Sequence, residues 1–193
     1  MYLESRLHKI IRRVPHIHFH GNRTEKKIAL TFDDSPTTQT NYLLRLLTDY
    51  KIKATFFVVG DKAREQPEAL QQIMEQGSEI GNHSYSHKQL LFQSKNDIAS
   101  EIIKTEQVLE ENGVQTRLFR PPYGNIGLNT YKVAKQAGYD IIMADVDPRD
   151  WKQDNYKRIE NHIKEYTTNG SIICLHDGIN GSKENYEMKV LLR

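Results

Sequence analysis

The chain has 193 residues, 37% of them hydrophobic and 27% charged, and a net charge of +2. That length suits one domain able to bury a real core, and the composition excludes a disordered chain. A charge so near neutral gives no reason to expect nucleic acid or an acidic polymer as partner, the single cysteine excludes an intramolecular disulfide framework, and no apolar run is long enough to span a bilayer.

Residues 3–14 place Leu3, Leu7, Ile10, Ile11 and Val14 at helical spacing, with Arg6, Lys9, Arg12 and Arg13 elsewhere. This predicts an amphipathic helix that packs on the domain rather than on a membrane, and Pro15 stops it. The basic start lacks the continuous apolar stretch of a secretory leader. The histidines of Pro15-His-Ile-His-Phe-His20 share one face of an extended segment. They precede the first core strand, where nothing places them at an active face, so they are read as non-functional. Residues 1–19 thus form a helix and lead-in, and 20–193 a single further domain.

From residue 26 short apolar runs alternate with amphipathic stretches. Strands are predicted at 28–32, 54–59, 79–81, 118–119, 141–144 and 172–175, and helices near 38–49, 67–76, 97–112, 128–137 and 155–168. Ser94 and Asp97 make a variant capping box before Ile98. Gly77, Gly113, Gly138 and Gly170 each follow a helix, where a left-handed residue belongs. The alternation implies an α/β fold with a largely parallel sheet. The order alone leaves a closed barrel and an open doubly wound sheet equally possible.

The reactive side chains fall where the strands end. Asp33 and Asp34 follow the first core strand, His83 and His87 the third, Arg120 and Tyr123 the fourth, Asp147 and Asp150 the fifth, His176 and Asp177 the last. In α/β folds those ends share one face, and sites are built there. Adjacent carboxylates repel, so Asp33-Asp34 marks either a divided chemical role or a turn, since Asp-Asp-Ser-Pro is also turn composition. On a helical turn His83 and His87 would lie on one face and reach one metal ion. With a carboxylate from another strand end they form a catalytic type of metal set, as seen with zinc or non-haem iron. The Arg120-Pro-Pro-Tyr-Gly124 segment is stiff, and its arginine could hold a carboxylate such as Asp33. A carboxylate beside His176 would raise its pKa and make it a general acid. Trp151 and the Cys174–Leu175 segment could wall a small apolar pocket, to which Pro122 is added as a substrate contact.

Thr31-Phe-Asp-Asp-Ser-Pro36, His83-Ser-Tyr-Ser-His87, Arg120-Pro-Pro-Tyr-Gly124, Asp147-Pro-Arg-Asp-Trp151 and Cys174-Leu-His176 resemble, in order, the five motifs of the polysaccharide deacetylases, carbohydrate esterase family four with its NodB homology domain. The resemblance implies a distorted (β/α) barrel and a divalent metal, zinc or else cobalt. It implies that Asp34, His83 and His87 are the metal ligands and Asp33 the general base. Arg120 would orient the base, the Tyr123 N–H would bind the oxyanion, His176 would be the acid and Asp150 its tuner. Trp151 would help to form the acetyl pocket. The substrate would be an acetylated glycan: peptidoglycan, a chitin-like oligomer or poly-N-acetylglucosamine. A monomer is expected, and the family points to the cell wall or exterior. Three departures stand out. Ser35 occupies a position usually held by glycine, Cys174 one usually held by leucine, and the sequence stops after Arg193 without the family's last helix and strand. Alternatives are an esterase for O-acetylated xylan, an inactive glycan-binding module, or an amidohydrolase for small cyclic amides.

Overall fold

The structure, a computed structural model, describes residues 14–152 and 155–178. The helix expected over 3–14 falls, but for Val14, outside these residues, and so does the tail 179–193.

Seven strands, β1 Ile17–His18, β2 Ala29–Ser35, β3 Thr55–Val58, β4 Glu79–Asn82, β5 Leu118–Phe119, β6 Asp140–Ile142 and β7 Ile172–His176, form one sheet in the order β1-β6-β5-β4-β3-β2-β7. Every strand pairing in it is parallel. Between the strands run α1 Thr40–Asp49, α2 Gly60–Glu65, α3 Pro67–Gln76, α4 Lys95–Glu111, α5 Leu128–Gln136 and α6 Tyr156–Tyr166. Among the described residues the strands and helices predicted from residue 26 onward are all present. The structure adds α2, too short to show a period, and β1, which takes in part of the His-rich lead-in.

Strand alternation sorts the side chains. Phe32, Phe56, Val58, Ile80, Ile173 and Leu175 join one buried cluster, which also takes in Leu43, Leu47, Leu70 and Ile73 from the helices. Ile17, Phe119, Ile141, Ile98 and Ile102 join a second. The alternate residues Thr31, Asp33, Phe57, Gly81, Arg120, Cys174 and His176 lie on the opposite, inner face. Gly81 is needed there, because a Cβ at this position would stand 2.5 Å from the Phe57 ring.

The sheet curls. Cys174 N–H donates to the Val146 carbonyl, and Val146 N–H to that of Ile172, so β7 is stitched to the segment after β6 although four strands separate them in the sheet order. Arg23 closes the same seam from below. Its guanidinium meets Asp145 at 2.6 Å, Thr168 at 2.7 Å and the Asn169 carbonyl at 2.9 Å. Because all strands run the same way, their carboxyl ends meet at one end of this curl.

Candidate active site

β2 carries a bulge. Its register with β3 shifts between Phe32 and Ser35, and Asp34 has a left-handed φ of +67°. The bulge turns Asp34 off the strand's regular alternation, so that both carboxylates serve one site through different partners. Ser35, beyond the bulge, is buried in the strand.

Asp33 belongs to Arg120. Arg120 Nη1 donates to Asp33 Oδ1 and to Thr31 Oγ1, each at 2.7 Å, while Nε and Nη2 donate to the carbonyls of Ile142 and Met143. The guanidinium lies 4.1 Å over the Phe57 ring. Burial works against a charge on Asp33, but Arg120, with His83 and His176 behind it, holds its pKa below the usual carboxylate value.

Asp34 belongs to the histidines. Its Oδ1 is buried and receives no hydrogen bond of acceptable geometry from a described residue. His87 Nε2 stands 3.1 Å from it and His83 Nε2 3.7 Å. His83 Nδ1 lies 2.7 Å from the Arg120 carbonyl, so the proton sits on Nδ1 and the Nε2 lone pair faces Asp34. Burial, the largest influence on His83, lowers its pKa and keeps the imidazole neutral. Three acceptor atoms thus converge, with all pairs within 4.8 Å. The residues present fit a cation.

The two histidines do not share a helical turn. They sit in a loop after β4 in which Ser84 and His87 have left-handed φ values of 66° and 51°. Asn82 Oδ1 accepts from Ser84 N–H at 2.9 Å. Glu101 of α4 accepts from the N–H groups of Tyr85 and Ser86 at 3.0 and 2.8 Å and from Ser86 Oγ at 2.8 Å. This clamp, rather than helical periodicity, brings the imidazoles together, their ring centroids 5.0 Å apart.

His176 closes the site from β7. Its Nδ1 lies 2.8 Å from Asp150 Oδ1, and its N–H donates to Asp150 Oδ2. Burial alone would depress its pKa, but the Asp150 bond and charge prevail and raise it to about 9. Asp150 opens a 3-10 turn, Asp150–Lys152, that carries the half-exposed Trp151. Arg158 of α6 fastens the approach to that turn by donating to the carbonyls of Pro148 and Arg149. Pro122 is buried at the start of the turn Pro122–Gly124, and Tyr123 has φ +61° with its ring 4.8 Å from that of His87. Non-glycine residues with positive φ therefore recur along this face, at Asp34, Ser84, His87, Tyr123 and Arg149. Each is a local cost of order 1–3 kcal/mol, of the kind found where geometry serves a function.

The site thus gathers Asp33, Asp34, His83, His87, Arg120, Asp150, Cys174 and His176. Leu175 is not among them, since alternation turns it outward into the core, where it is 1% exposed. Sequence reasoning missed Thr31, Asn82, Glu101 and Arg158, which act by holding site residues. Glu101 carries no motif signal at all.

A family model described as polysaccharide deacetylase matches residues 20–142. The chain is 38% identical over 159 residues to a peptidoglycan-N-acetylglucosamine deacetylase of Bacillus cereus, a match covering 81% of this chain and 75% of that protein. It is 40% identical over 155 residues to PdaC of Bacillus subtilis, a peptidoglycan-N-acetylmuramic acid deacetylase, covering 79% of this chain but only 32% of that protein. The chain therefore spans about a third of this second relative. A crystal structure of a peptidoglycan N-acetylglucosamine deacetylase superposes with a TM-score of 0.82 at 34% identity, covering 86% of this chain and 78% of that one. The likeness identifies the curled parallel sheet as the (β/α) barrel of such proteins.

Proposed function

The chain belongs to the polysaccharide deacetylase family, and from that membership we propose that it hydrolyses the acetamide of N-acetylglucosamine units in a glycan, peptidoglycan foremost. The observation that carries the reading is the division of partners between adjacent carboxylates: Asp33 is gripped by Arg120, and Asp34 faces the imidazoles of His83 and His87.

Asp34, His83 and His87 would hold a divalent cation, zinc or cobalt, which when bound supplies Lewis acidity toward a water molecule and the acyl carbonyl. Asp33 is left free of that duty and accepts the water's proton as its oxygen adds to the carbonyl carbon. Arg120 fixes the base by its first oxygen, and Phe57 and Thr31 fix Arg120. The Tyr123 N–H, set by the stiff turn, donates to the developing oxyanion. His176 is the acid. Held as imidazolium by Asp150, it protonates the amine nitrogen as the C–N bond breaks, leaving acetate and a free amino sugar. Pro122, Trp151 and Cys174 wall the acyl pocket.

An acetate-release screen on zinc- or cobalt-loaded protein tests this. Release from peptidoglycan, chitooligosaccharides or poly-N-acetylglucosamine is expected. Release from acetylated xylan alone would make it an O-acetyl esterase, and tight metal binding without any release would make it a binding module.

A further inference from the structure

β2 and β7 lie side by side, with Thr31 opposite Cys174 and Asp33 opposite His176. Alternation turns all four side chains inward. Cys174 Sγ thereby comes to 3.3 Å from Asp33 Oδ2, the oxygen that Arg120 leaves free. Oδ2 is also the oxygen nearer the ligand set, 3.8 Å from His83 Nε2. A carboxylate only accepts, so in this pair the thiol must be the donor.

We propose that Cys174 is a positioning residue for the general base: its S–H donates to Asp33 Oδ2 and, with Arg120 on Oδ1, holds the carboxylate by both oxygens. This rests on the reading of Asp33 as the base. A carboxylate bound through one oxygen can swing about its terminal torsion, which is intrinsically soft. A second donor on the other oxygen sets the plane of the group and aims the remaining lone pair of Oδ2 toward the water. A small misplacement of a base is costly in rate. The thiol remains a donor across the working range, because burial first and the Asp33 charge second push its pKa well above the ordinary thiol value. A hydroxyl would serve in its place, and an alkyl group of equal size would not.

Two measurements decide it. In the metal-loaded enzyme, Cys174→Val should lower kcat about three- to tenfold, the effect of one modest hydrogen bond, with KM within about twofold, and Cys174→Ser should recover most of the loss. Equal rates for the Val and Ser variants, with matched melting temperatures, overturn the proposal. The second measurement needs no turnover. Because the chain has one cysteine, its S–H stretching band in the infrared or Raman spectrum belongs to Cys174 alone. The band should lie below that of an unbonded thiol and move upward in Asp33→Asn. A band at the unbonded position, unmoved by Asp33→Asn, removes the hydrogen bond and the proposal with it. If no acetylated glycan is a substrate, the deacetylase reading fails on the acetate screen, while the band still decides this contact.

Discussion

Arg120 reaches Asp33 across the inside of the curled sheet, with Nη1 2.7 Å from Oδ1, while its other nitrogens hold the carbonyls of Ile142 and Met143. One side chain just past β5 therefore ties β2 to the end of β6, strands that are not neighbours in the sheet. It serves closure of the fold and placement of the proposed base at once.

Removing it should therefore damage both. Arg120→Ala leaves a buried carboxylate without its partner and is expected to cost about 3–5 kcal/mol. Adding Asp33→Asn should restore part of that loss, since the uncompensated charge goes with it. Urea unfolding of the two variants and the wild type checks this. Additive losses would mean that the two side chains act independently.

Glu101 holds the loop that carries His83 and His87 without touching either imidazole. Glu101→Ala should weaken metal binding about 10–100-fold, the usual effect of disturbing groups that orient ligands. Titration with zinc against a competing chelator reads it. An unchanged affinity would show that the loop holds its shape without the clamp.

The His176 pKa is raised from 6.5 to about 9, chiefly against burial and by Asp150. The folded value exceeds the unfolded one, so this pair's stabilising contribution is full below about pH 6.5 and is lost as pH rises through about 9. In Asp150→Asn the two largest raising influences go, burial is opposed chiefly by the charges of Asp33 and Asp34, and the pKa should fall well below 9. NMR titration of the His176 ring in metal-free protein follows both. A value that stays near 9 in the variant would assign the shift to another group.

Asp177 shows the opposite behaviour for an acid. Burial, only partly offset by Thr40 and other donors, raises its pKa from 3.8 to about 7. The folded protein holds this proton longer than the unfolded chain, so its contribution falls as pH rises from about 4 to about 7. Asp177→Asn keeps the polar contacts and removes the charge. Its stability relative to wild type should grow across that window by a few kcal/mol. Parallel profiles for the two proteins would rule this out.

Much of this was legible in the sequence, for reasons that can be named. β2, β3 and β7 are apolar runs bounded by breakers, and their parallel pairing follows from strand–helix alternation. Asp33, Arg120 and His176 stand at strand ends, so the topology alone carries them to one face. What was not legible depends on backbone shape or on contacts distant in sequence. The loop with Ser84 and His87 at positive φ imitates a helical turn's spacing without being one. β1 is too short to read as a strand, yet it pairs with β6 and sets His16 and His18 against Asp140, at the end of the sheet away from the site. Leu175 lies beside two inward residues in sequence and faces the other way in space.

On the proposed mechanism Asp33 and Asp34 have separate duties, base and metal ligand. Asp33→Asn, loaded with zinc and analysed for metal content and for acetate released from an N-acetylglucosamine oligomer, tests it most directly. Wild-type metal stoichiometry is expected, with turnover reduced by about 10²-fold or more. Loss of the metal in this variant, or turnover close to that of the wild type, would contradict it.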